Sequence, residues 1–548
     1  MKARWPGIVL AGLLVGGAGA GARAQQSTRR PGIRVASYAF ELVLPDTGDT
    51  IAARATVAFR RLRAATDTLV LDLVGLTVDS AGAPGAGSAP PLVRRPFTYD
   101  GQRLRIALPA RRAPGLETVT VFYHGAPTDG LLLHPDGRGR EAAFADDWPD
   151  RARDWLPTVD DPADKAAVSW RVSAPAGWSV VANGHPTGSG AATAGRTWWT
   201  SEERRPIPTY TMVVGAGRLR VSRHRPVIAG RDTIPIEVWA EPEDSAFADS
   251  VPFRRATEIV ETMQRLVGPF PFERLAHVES STRYGGMENS TAIFYAEQPY
   301  IARRLSEGTV RHETAHQWFG DAVTERDFHD LWLSEGFADY FSLVVGAALD
   351  GDSVLAHGMA GLMRGYLRSP VVGRPLVDTA ETVLTHLLNA NSYNKGAWVL
   401  HMLRGTLGDS AFWRGIRAYY REYRDSSVTS ADLQRVMERA SGRKLGWFFA
   451  QWLRQPGYPQ IAVAWTYDAA ARRVTLDLAQ TQPDAWGLFT LPALTLEFRT
   501  DSTAPVRRTV ALSTRRQSLR IDLPGPPTEV RVDPDGDWLL TARVTAQP

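Results

Sequence analysis

Cysteine is absent from all 548 residues of this chain, and histidine is scarce, with 11 residues. Without cysteine the chain forms no disulfide bonds, so packed cores must hold its domains together. Any metal site is restricted to histidine and carboxylate ligands, because no thiolate is available. Basic residues outnumber acidic ones by only 63 to 59, a balance that gives no reason to expect a nucleic-acid partner.

Long hydrophobic runs are also missing. The most apolar stretch, residues 8–20, is short and glycine-rich; it follows a basic start and precedes the small-residue site Ala22-Arg23-Ala24. This order is typical of a secretory signal peptide, so we predict cleavage after Ala24 and export to the periplasm or the medium. A retained anchor is the alternative, but stable membrane insertion is not expected. Removing residues 1–24 takes away three basic residues and lowers the formal charge from +4 to +1.

The residue pattern changes twice along the chain. Alternating runs such as Tyr38, Phe40 and Leu42 continue to about residue 225 and predict antiparallel strands. Helical periodicity follows to about residue 455, and alternation then returns. Two segments rich in small residues, 81–91 and 187–196, are predicted to be loops. We predict three domains: an antiparallel β domain (25–226), a mainly helical domain (227–455) and a β-sandwich (456–548).

The most specific motif is His312-Glu313-Thr314-Ala315-His316. Residues four apart share one face of a helix, so both imidazole rings can reach one metal ion. Ser306 with Glu307 is suited to begin this helix, and Gly320 to end it. With so few histidines, the motif arises by chance in only about one such chain per hundred. Two unrelated histidines on a surface helix are the alternative.

A catalytic zinc needs a third protein ligand and an open position. Glu335 follows His316 after 18 intervening residues, within an apolar segment predicted to form a helix from Asp330 to Leu349. Packed antiparallel to the first helix, this segment would direct Glu335 to the same ion. Two histidines and a carboxylate favour zinc, so we predict one Zn²⁺ per chain, bound by His312, His316 and Glu335.

Two further carboxylates have predicted roles near this metal. Glu313 lies beside the first ligand and is expected to act as general base, taking a proton from a metal-activated water and passing it to the leaving amine. Asp339, one turn after Glu335, is a candidate to accept the free N–H of a zinc histidine. An ordinary solvated aspartate is an equally good interpretation of Asp339.

These motifs resemble the aminopeptidase N family of zinc peptidases, which also includes leukotriene hydrolases. His312 to Asp321 and Glu335 to Ala338 match its zinc-binding motifs at the correct spacing. Further similar segments occur in the expected order, and together they span about residues 34 to 500: Arg153 to Lys165, Gly285 to Asn289, Ser392 to Ala397 and Phe449 to Pro459. The resemblance implies an α+β fold with an N-terminal antiparallel β domain, a thermolysin-like mainly helical catalytic domain and a C-terminal β-sandwich.

The resemblance also implies substrate-binding and catalytic roles. Residues 285–289 correspond to the family's exopeptidase motif, so the following residues are expected to bind substrate: Gly285, Gly286, Met287, Glu288 and Asn289. The two glycines would let a peptide backbone approach a strand edge, and Glu288 would pair with the α-ammonium group. By the same resemblance Tyr393 donates a hydrogen bond to the oxyanion, a contribution of about 3–4 kcal/mol to barrier lowering.

The chain departs from the family in two respects. Relatives carry Glu or Gln nine residues before the proline that matches Pro157, as a second amine anchor, whereas this chain has Trp148. Asp146 or Asp147 is a candidate substitute, with Glu288 acting alone as the alternative. Many relatives also have a helical fourth domain over the cleft, and its absence here predicts an open site that accepts longer peptides.

The favoured prediction is a zinc aminopeptidase acting on peptide substrates. An endopeptidase or epoxide-type hydrolase using the same metal is a second hypothesis, and an inactive peptide-binding homologue is a third. The third hypothesis predicts a damaged catalytic set, but the metal ligands, Glu313 and Tyr393 are all present. The sequence indicates neither the preferred N-terminal side chain nor the oligomeric state.

Overall fold

The computed structural model describes residues 32–84, 92–110, 114–501 and 504–547. The predicted signal peptide, 1–24, lies outside this range. The structure consists of a β-rich N-terminal region, a central region of helices around one sheet, and a C-terminal region of two sheets. The predicted fold class is therefore confirmed. Among the described residues no helix is both long enough and apolar enough to cross a membrane.

The N-terminal region is built from alternating strands, as predicted. Tyr38, Phe40 and Leu42 are all buried on one face of the first strand. The strands are β1 (Ile33–Val43), β2 (Ile51–Arg61), β3 (Thr68–Asp72), β4 (Thr77–Pro84), β5 (Leu92–Arg94), β6 (Phe97–Tyr99), β7 (Arg103–Ala107), β8 (Gly115–Gly125), β9 (Leu131–Pro135), β10 (Glu141–Ala145), β11 (Ala166–Pro175), β12 (Ser179–Ala182), β13 (His185–Ala191), β14 (Arg196–Ile207) and β15 (Val214–Gly217).

These strands form three sheets. The largest has the order β13-β14-β11-β1-β2-β8-β4-β5, and it is antiparallel except for the parallel pair β1 and β11. The others have the orders β12-β15-β10-β9 and β3-β7-β6. The loop predicted for 187–196 is wrong over residues 187–191, which belong to the edge strand β13. This strand lacks an apolar alternation because it is mostly exposed, and Gly190 leaves room for the Trp198 ring of β14. Of the other predicted loop, 81–91, residues 81–84 complete β4 and 85–91 lie outside the described residues.

The central region contains a five-stranded sheet of order β16-β17-β18-β20-β19, with β19 at an edge. Its strands are β16 (Arg220–Ala229), β17 (Asp232–Ala240), β18 (Leu275–Ser280), β19 (Gly286–Met287) and β20 (Ala292–Ala296). A separate parallel pair is formed by β21 (Val323–Glu325) and β22 (Ser426–Val428). The boundary predicted at residue 226 falls inside β16, which pairs with β17 along both halves of its length. The hydrogen-bonded ladder therefore carries the central sheet back to Arg220.

Helices cover this sheet and form the rest of the central region. They are α1 (Ser245–Ser250), α2 (Ala256–Leu266), α3 (Glu297–Ile301), α4 (Glu307–His316), α5 (Glu335–Asp350), α6 (Ser353–Leu367), α7 (Gly396–Leu407), α8 (Asp409–Tyr423), α9 (Ser430–Ser441) and α10 (Gly446–Phe449). The helix predicted from Asp330 is a 3-10 turn, Phe328–Leu333, followed by α5. The backbone at Asp330 is not helical, so the segment bends just before Glu335.

The C-terminal region has two antiparallel-rich sheets, of order β27-β24-β23-β29 and β26-β25-β28. Their strands are β23 (Gln460–Asp468), β24 (Arg473–Gln480), β25 (Leu491–Arg499), β26 (Val506–Leu512), β27 (Arg516–Asp522), β28 (Glu529–Val532) and β29 (Thr541–Ala546). Alternate residues of both sheets are buried, including Val474, Leu476 and Leu478. This pattern is that of two sheets with a shared core.

Two buried lysines connect the regions. The Nζ of Lys165, in the N-terminal region, donates to the carbonyls of Asp321 at 2.6 Å and Ala322 at 3.0 Å, just beyond α4. The Nζ of Lys395 donates to the carbonyl of Gln455 at 3.2 Å, where the chain enters the C-terminal region. Burial lowers the pKa of Lys165 to about 8 and that of Lys395 to about 7.

Helices α5 and α7 touch through their first turns. A Cβ added to Gly336 would lie 2.7 Å from the Cα of Gly396, and one added to Gly396 would lie 2.9 Å from the Cα of Gly336. Backbone atoms cannot yield as flexible side chains do. The two glycines therefore set how closely the helices approach.

We predict that Gly396→Ala lowers the free energy of unfolding by about 1–3 kcal/mol, because it overpacks this contact. Gly405→Ala is the matched control: it lies on α7, is exposed and meets no atom within 4 Å. The control is expected to raise stability by up to about 1 kcal/mol, the helix propensity difference. Thermal unfolding midpoints of both variants test this, and equal shifts would contradict the close-contact account.

Candidate metal centre and active site

Helix α4 presents two histidines to one point. Ser306 caps the helix as predicted, with its Oγ accepting from the Thr309 N–H at 3.2 Å. His312 and His316 follow one turn apart, both buried, with their Nε2 atoms 3.1 Å from each other. Two imidazole nitrogens this close share a proton or a cation, because two bare lone pairs repel.

Glu335 completes the group from the first position of α5. Its Oε2 lies 3.3 Å from the Nε2 of both histidines and accepts no hydrogen bond of normal geometry from any described residue. One ligand atom from each of the three residues lies within 4.8 Å of the others. Two nitrogens and one oxygen, all buried and converging, fit a catalytic zinc with one position left for water or substrate. The structure thus brings the three predicted ligands together.

The outer ring nitrogens of both histidines are also oriented. The Nδ1 of His312 is 2.9 Å from Asp339 Oδ1, the contact predicted from the sequence. The Nδ1 of His316 is 3.0 Å from Ser334 Oγ and 3.2 Å from the Phe319 carbonyl, neither of which was predicted. Such contacts select the tautomer that leaves Nε2 free to bind a metal. The position of Ser334, directly before Glu335, was the available clue.

The electrostatics of this group are those of a cation site. Burial alone would raise the pKa of Glu335, but the two imidazoles lower it to about 2. Burial likewise opposes charge on His316, but Glu335 and Glu288 raise its pKa to about 9. The pKa of His312 is also raised, through Asp339 and Glu335, against its burial. Binding of a metal ion by His312 and His316 would therefore displace protons from these rings, as is usual for histidine ligands.

Glu313 lies on the same helix, against the edge strand β19. Burial, opposed by both histidines, raises its pKa to about 7, which suits a group that gains and loses a proton at neutral pH. A Cβ placed on Gly286 would overlap the Glu313 carboxylate, whereas one on Gly285 meets no atom within 4 Å. The predicted role of the glycine pair is thus divided. Gly286 makes room for Glu313, whereas Gly285, directly before the strand, has open space beside it.

Glu288 follows β19 and is 5% exposed. Its carboxylate, the Glu313 carboxylate and a ring nitrogen of His316 lie within 4.8 Å of one another. The Nε2 of Gln317 donates to the Glu288 carbonyl at 2.9 Å, which ties the segment after β19 to α4. Met287 and Asn289 are buried on either side, so a direct role for them in substrate binding stays a prediction.

Tyr393 packs against one of the metal ligands. It lies in the turn Asn391–Lys395 before α7, and its ring stacks on His312 with centroids 6.1 Å apart and planes 12° apart. Burial and then Glu335 raise its pKa well above the usual value. The hydroxyl therefore stays protonated and remains a hydrogen-bond donor.

Each candidate substitute for the second amine anchor has one carboxylate oxygen engaged by a neighbouring side chain. Asp146 is 3.1 Å from Arg151 Nη2 and accepts from Thr282 Oγ1 at 3.3 Å. Asp147 accepts from Trp155 Nε1 at 2.8 Å, and burial raises its pKa well above the usual value. Trp148 is buried against the rings of two neighbours, Tyr284 and Phe328. These contacts favour the alternative in which Glu288 acts alone.

Comparison with known proteins identifies two domains. Residues 36–211 match the Peptidase M1 N-terminal domain, and residues 252–452 match the Peptidase family M1 domain. Aminopeptidase N of Lactococcus lactis is 29% identical over 394 residues, 67% of this chain and 45% of that protein. Leucyl aminopeptidase of Saccharolobus solfataricus is 26% identical over 448 residues, 75% of this chain and 52% of that protein. The chain spans about half the length of these curated relatives.

Solved structures agree with the domain matches. An M1 zinc metallopeptidase from Deinococcus radiodurans superposes with a TM-score of 0.67 at 27% identity, covering 78% of this chain and 95% of that one. Aminopeptidase A of Legionella pneumophila has a TM-score of 0.79 at 16% identity, covers 95% of this chain and 60% of that one, and shows the shared fold. With its two matched domains and its converging His-His-Glu group, the chain belongs to peptidase family M1.

Proposed function

We propose that this protein is a zinc-dependent aminopeptidase that removes N-terminal residues from peptides. The observation that carries the proposal is the position of Glu288 and Glu313 beside His312, His316 and Glu335 at the open edge of a sheet. Family membership, and relatives that are themselves aminopeptidases, support it. Bound zinc would supply a Lewis acid that polarises the scissile carbonyl and lowers the pKa of water.

The residues of this chain perform the remaining steps. A peptide lies along the free edge of β19, where backbone groups are available for pairing. Glu288 accepts hydrogen bonds from the substrate α-ammonium group and so sets the register at one residue from the N-terminus. Glu313 takes a proton from the attacking water and delivers it to the leaving amine. Tyr393 donates to the oxygen of the scissile carbonyl as negative charge develops there.

The proposed function predicts that the protein requires a free N-terminus on its substrate. Amino-acid arylamides and free peptides are cleaved by the zinc-loaded protein, whereas N-acetylated peptides are not. Glu288→Gln is expected to lower kcat/KM about 10- to 100-fold, the range for a lost charge-assisted contact. Glu258→Gln, a change at a partly exposed side chain on α2, is the matched control.

Zinc content and chelation complete this test. Glu313→Gln should retain zinc and lose turnover, and a chelator should abolish activity that zinc restores. Equal cleavage of acetylated and free peptides would refute the aminopeptidase proposal in favour of an endopeptidase. A zinc-loaded protein without turnover on a broad peptide panel would favour an inactive binding homologue.

Another prediction separates the role of Gly286, in β19, from that of Gly285, the residue before the strand. Gly286→Ala displaces the Glu313 carboxylate, so kcat should fall about 100-fold, as small misplacements of catalytic groups do. Gly285→Ala adds a methyl group only where the substrate lies, so its effect should appear mainly in KM. Steady-state kinetics with zinc content measured in parallel checks both variants. A Gly286→Ala enzyme with unchanged kcat would contradict this role.

We also propose that the protein is exported. The support is the basic start, the apolar residues 8–20 and the small-residue site ending at Ala24, all in the order of a signal peptide. The expected mature N-terminus is Gln25, and Ala24→Asp should block cleavage. Mass spectrometry of periplasmic and medium fractions measures this, and active protein that begins at Met1 in the cytoplasm would exclude the proposal.

A further inference from the structure

Glu288, the proposed amine anchor, lies in a position that its charge alone would not hold. Its carboxylate is buried within 4.8 Å of the Glu313 carboxylate, and two carboxylates this close disfavour each other's charge. Pairing with a substrate ammonium group nevertheless requires that Glu288 keep this position in the free protein. Contacts of the backbone must therefore fix it. We call residues 288–291, which follow β19, the anchor segment.

The anchor segment is buried and contains an unfavourable backbone conformation. Asn289, Ser290 and Thr291 are all 0% exposed. Thr291 has a φ of 67°, in the left-handed region that a β-branched residue rarely adopts. Such a conformation persists only where the surrounding contacts require it. These contacts therefore determine the path of the chain at Glu288.

The first of these contacts is made by Gln317, the residue after the metal ligand His316. Its Nε2 donates to the Glu288 carbonyl at 2.9 Å, and its Oε1 accepts from the Thr291 N–H at 2.9 Å. A carbonyl only accepts and an N–H only donates, so a single orientation of the amide satisfies both. The Nε2 also donates to Asp321 Oδ2 at 2.7 Å, which restrains the amide further. Gln317 thus joins both ends of the anchor segment to the end of α4.

The second contact comes from the N-terminal region. Asn183 directly follows β12 and is 0% exposed; its Nδ2 donates to the carbonyls of Ser290 and Thr211, each at 2.7 Å. The N–H of the next residue, Gly184, donates to Thr291 Oγ1 at 2.7 Å. The anchor segment therefore lies between two buried amide side chains, one from the N-terminal region and one from the central region.

We propose that Gln317 and Asn183 are positioning residues that hold Glu288 where it meets the substrate α-ammonium group. This inference rests on the proposed aminopeptidase function, and it makes the N-terminal region a determinant of the preference for a free N-terminus. Both side chains are 0% exposed, so they act through Glu288 and do not bind substrate themselves. Without Gln317, the Glu288 carbonyl and the Thr291 N–H would be buried without these partners, a cost that favours a shift of the anchor segment. A shift of about 1 Å is enough to weaken a contact that depends on position.

The test compares two metal-chelating inhibitors that differ only in the α-amino group, leucine hydroxamate and 4-methylpentanohydroxamate. Because both carry the same side chain, the ratio of their Kd values measures the ammonium contact. Isothermal titration calorimetry on the zinc-loaded full-length protein should show about 10- to 100-fold tighter binding of leucine hydroxamate. Gln317→Met and Asn183→Leu should each reduce this preference about tenfold, and should change the Kd of 4-methylpentanohydroxamate less than about twofold.

Turnover and zinc content are measured alongside. With a free peptide as substrate, both variants should raise KM more than they lower kcat, because the metal ligands and Glu313 are unchanged. Each variant should still bind one zinc ion per chain. Gln298→Met is the matched control: its side chain is exposed on α3, and it should keep the wild-type preference between the two inhibitors.

The outcomes separate this inference from the proposed function. A wild-type protein that does not prefer leucine hydroxamate would overturn the ammonium contact, and both proposals with it. A wild-type preference that the two variants keep would overturn the positioning roles alone. Equal weakening of both inhibitors would mean that these residues support the metal centre and not Glu288, which also overturns the inference. If circular dichroism shows that Gln317→Met does not fold, Gln317→Glu, which keeps the size and loses the donor, takes its place.

Discussion

Two imidazole nitrogens and one carboxylate oxygen meet in the core of the central region, and side chains of this polarity are costly to bury unless a cation joins them. Several neighbouring residues position these three side chains. Ser306 fixes the start of α4, Ser334 and Asp339 orient the two rings, and the bend at Asp330 delivers Glu335 at the first position of α5. The close contact of Gly336 with Gly396 holds the first turns of α5 and α7 together. Tyr393 lies in the turn directly before α7, and its ring stacks on His312. These contacts maintain a geometry that the charges alone would not.

The substrate side has a different constraint, since it needs an open strand edge next to a buried base. Strand β19 is two residues long, lies at the edge of its sheet and pairs only with β20 among the described strands. Glu313 occupies the space that a side chain on Gly286 would fill. Glu313 is therefore buried, with 5% of its surface exposed, directly beside the strand edge. Its pKa near 7 follows from that burial, offset by the two histidines.

How far the sequence predicts this site depends on how local each determinant is. His312 and His316 share a helix turn, so periodicity alone brings them together. Glu335 lies beyond a bend that periodicity does not show, so its helix begins at Glu335 and not at Asp330 as predicted. Its spacing from His316 nevertheless identified it as a ligand. The role of Gly286 was assigned to substrate, because contact with Glu313 arises only when β19 packs on α4. The hydrogen bond that Asp146 accepts from Thr282 is likewise a tertiary contact, which no local sequence pattern reveals. Strand β13 was missed because an exposed edge needs no apolar alternation.

The metal-ligand group lies close to contacts that the central region makes with both flanking regions. Helix α4 ends at His316, and the carbonyls of Thr314, Ala315 and His316 accept from backbone N–H groups of residues 317–321. Lys165, from the N-terminal region, donates to two carbonyls just beyond that end. Lys395, two residues from Tyr393, donates instead to the carbonyl of Gln455 at the entry to the C-terminal region. Burial removes water from each ammonium group and lowers its pKa. Hydrogen bonds to backbone oxygens replace only part of the lost hydration. Separating either region would expose these carbonyls and release the segments next to His316 and Tyr393. The flanking regions are thus part of what positions the catalytic residues.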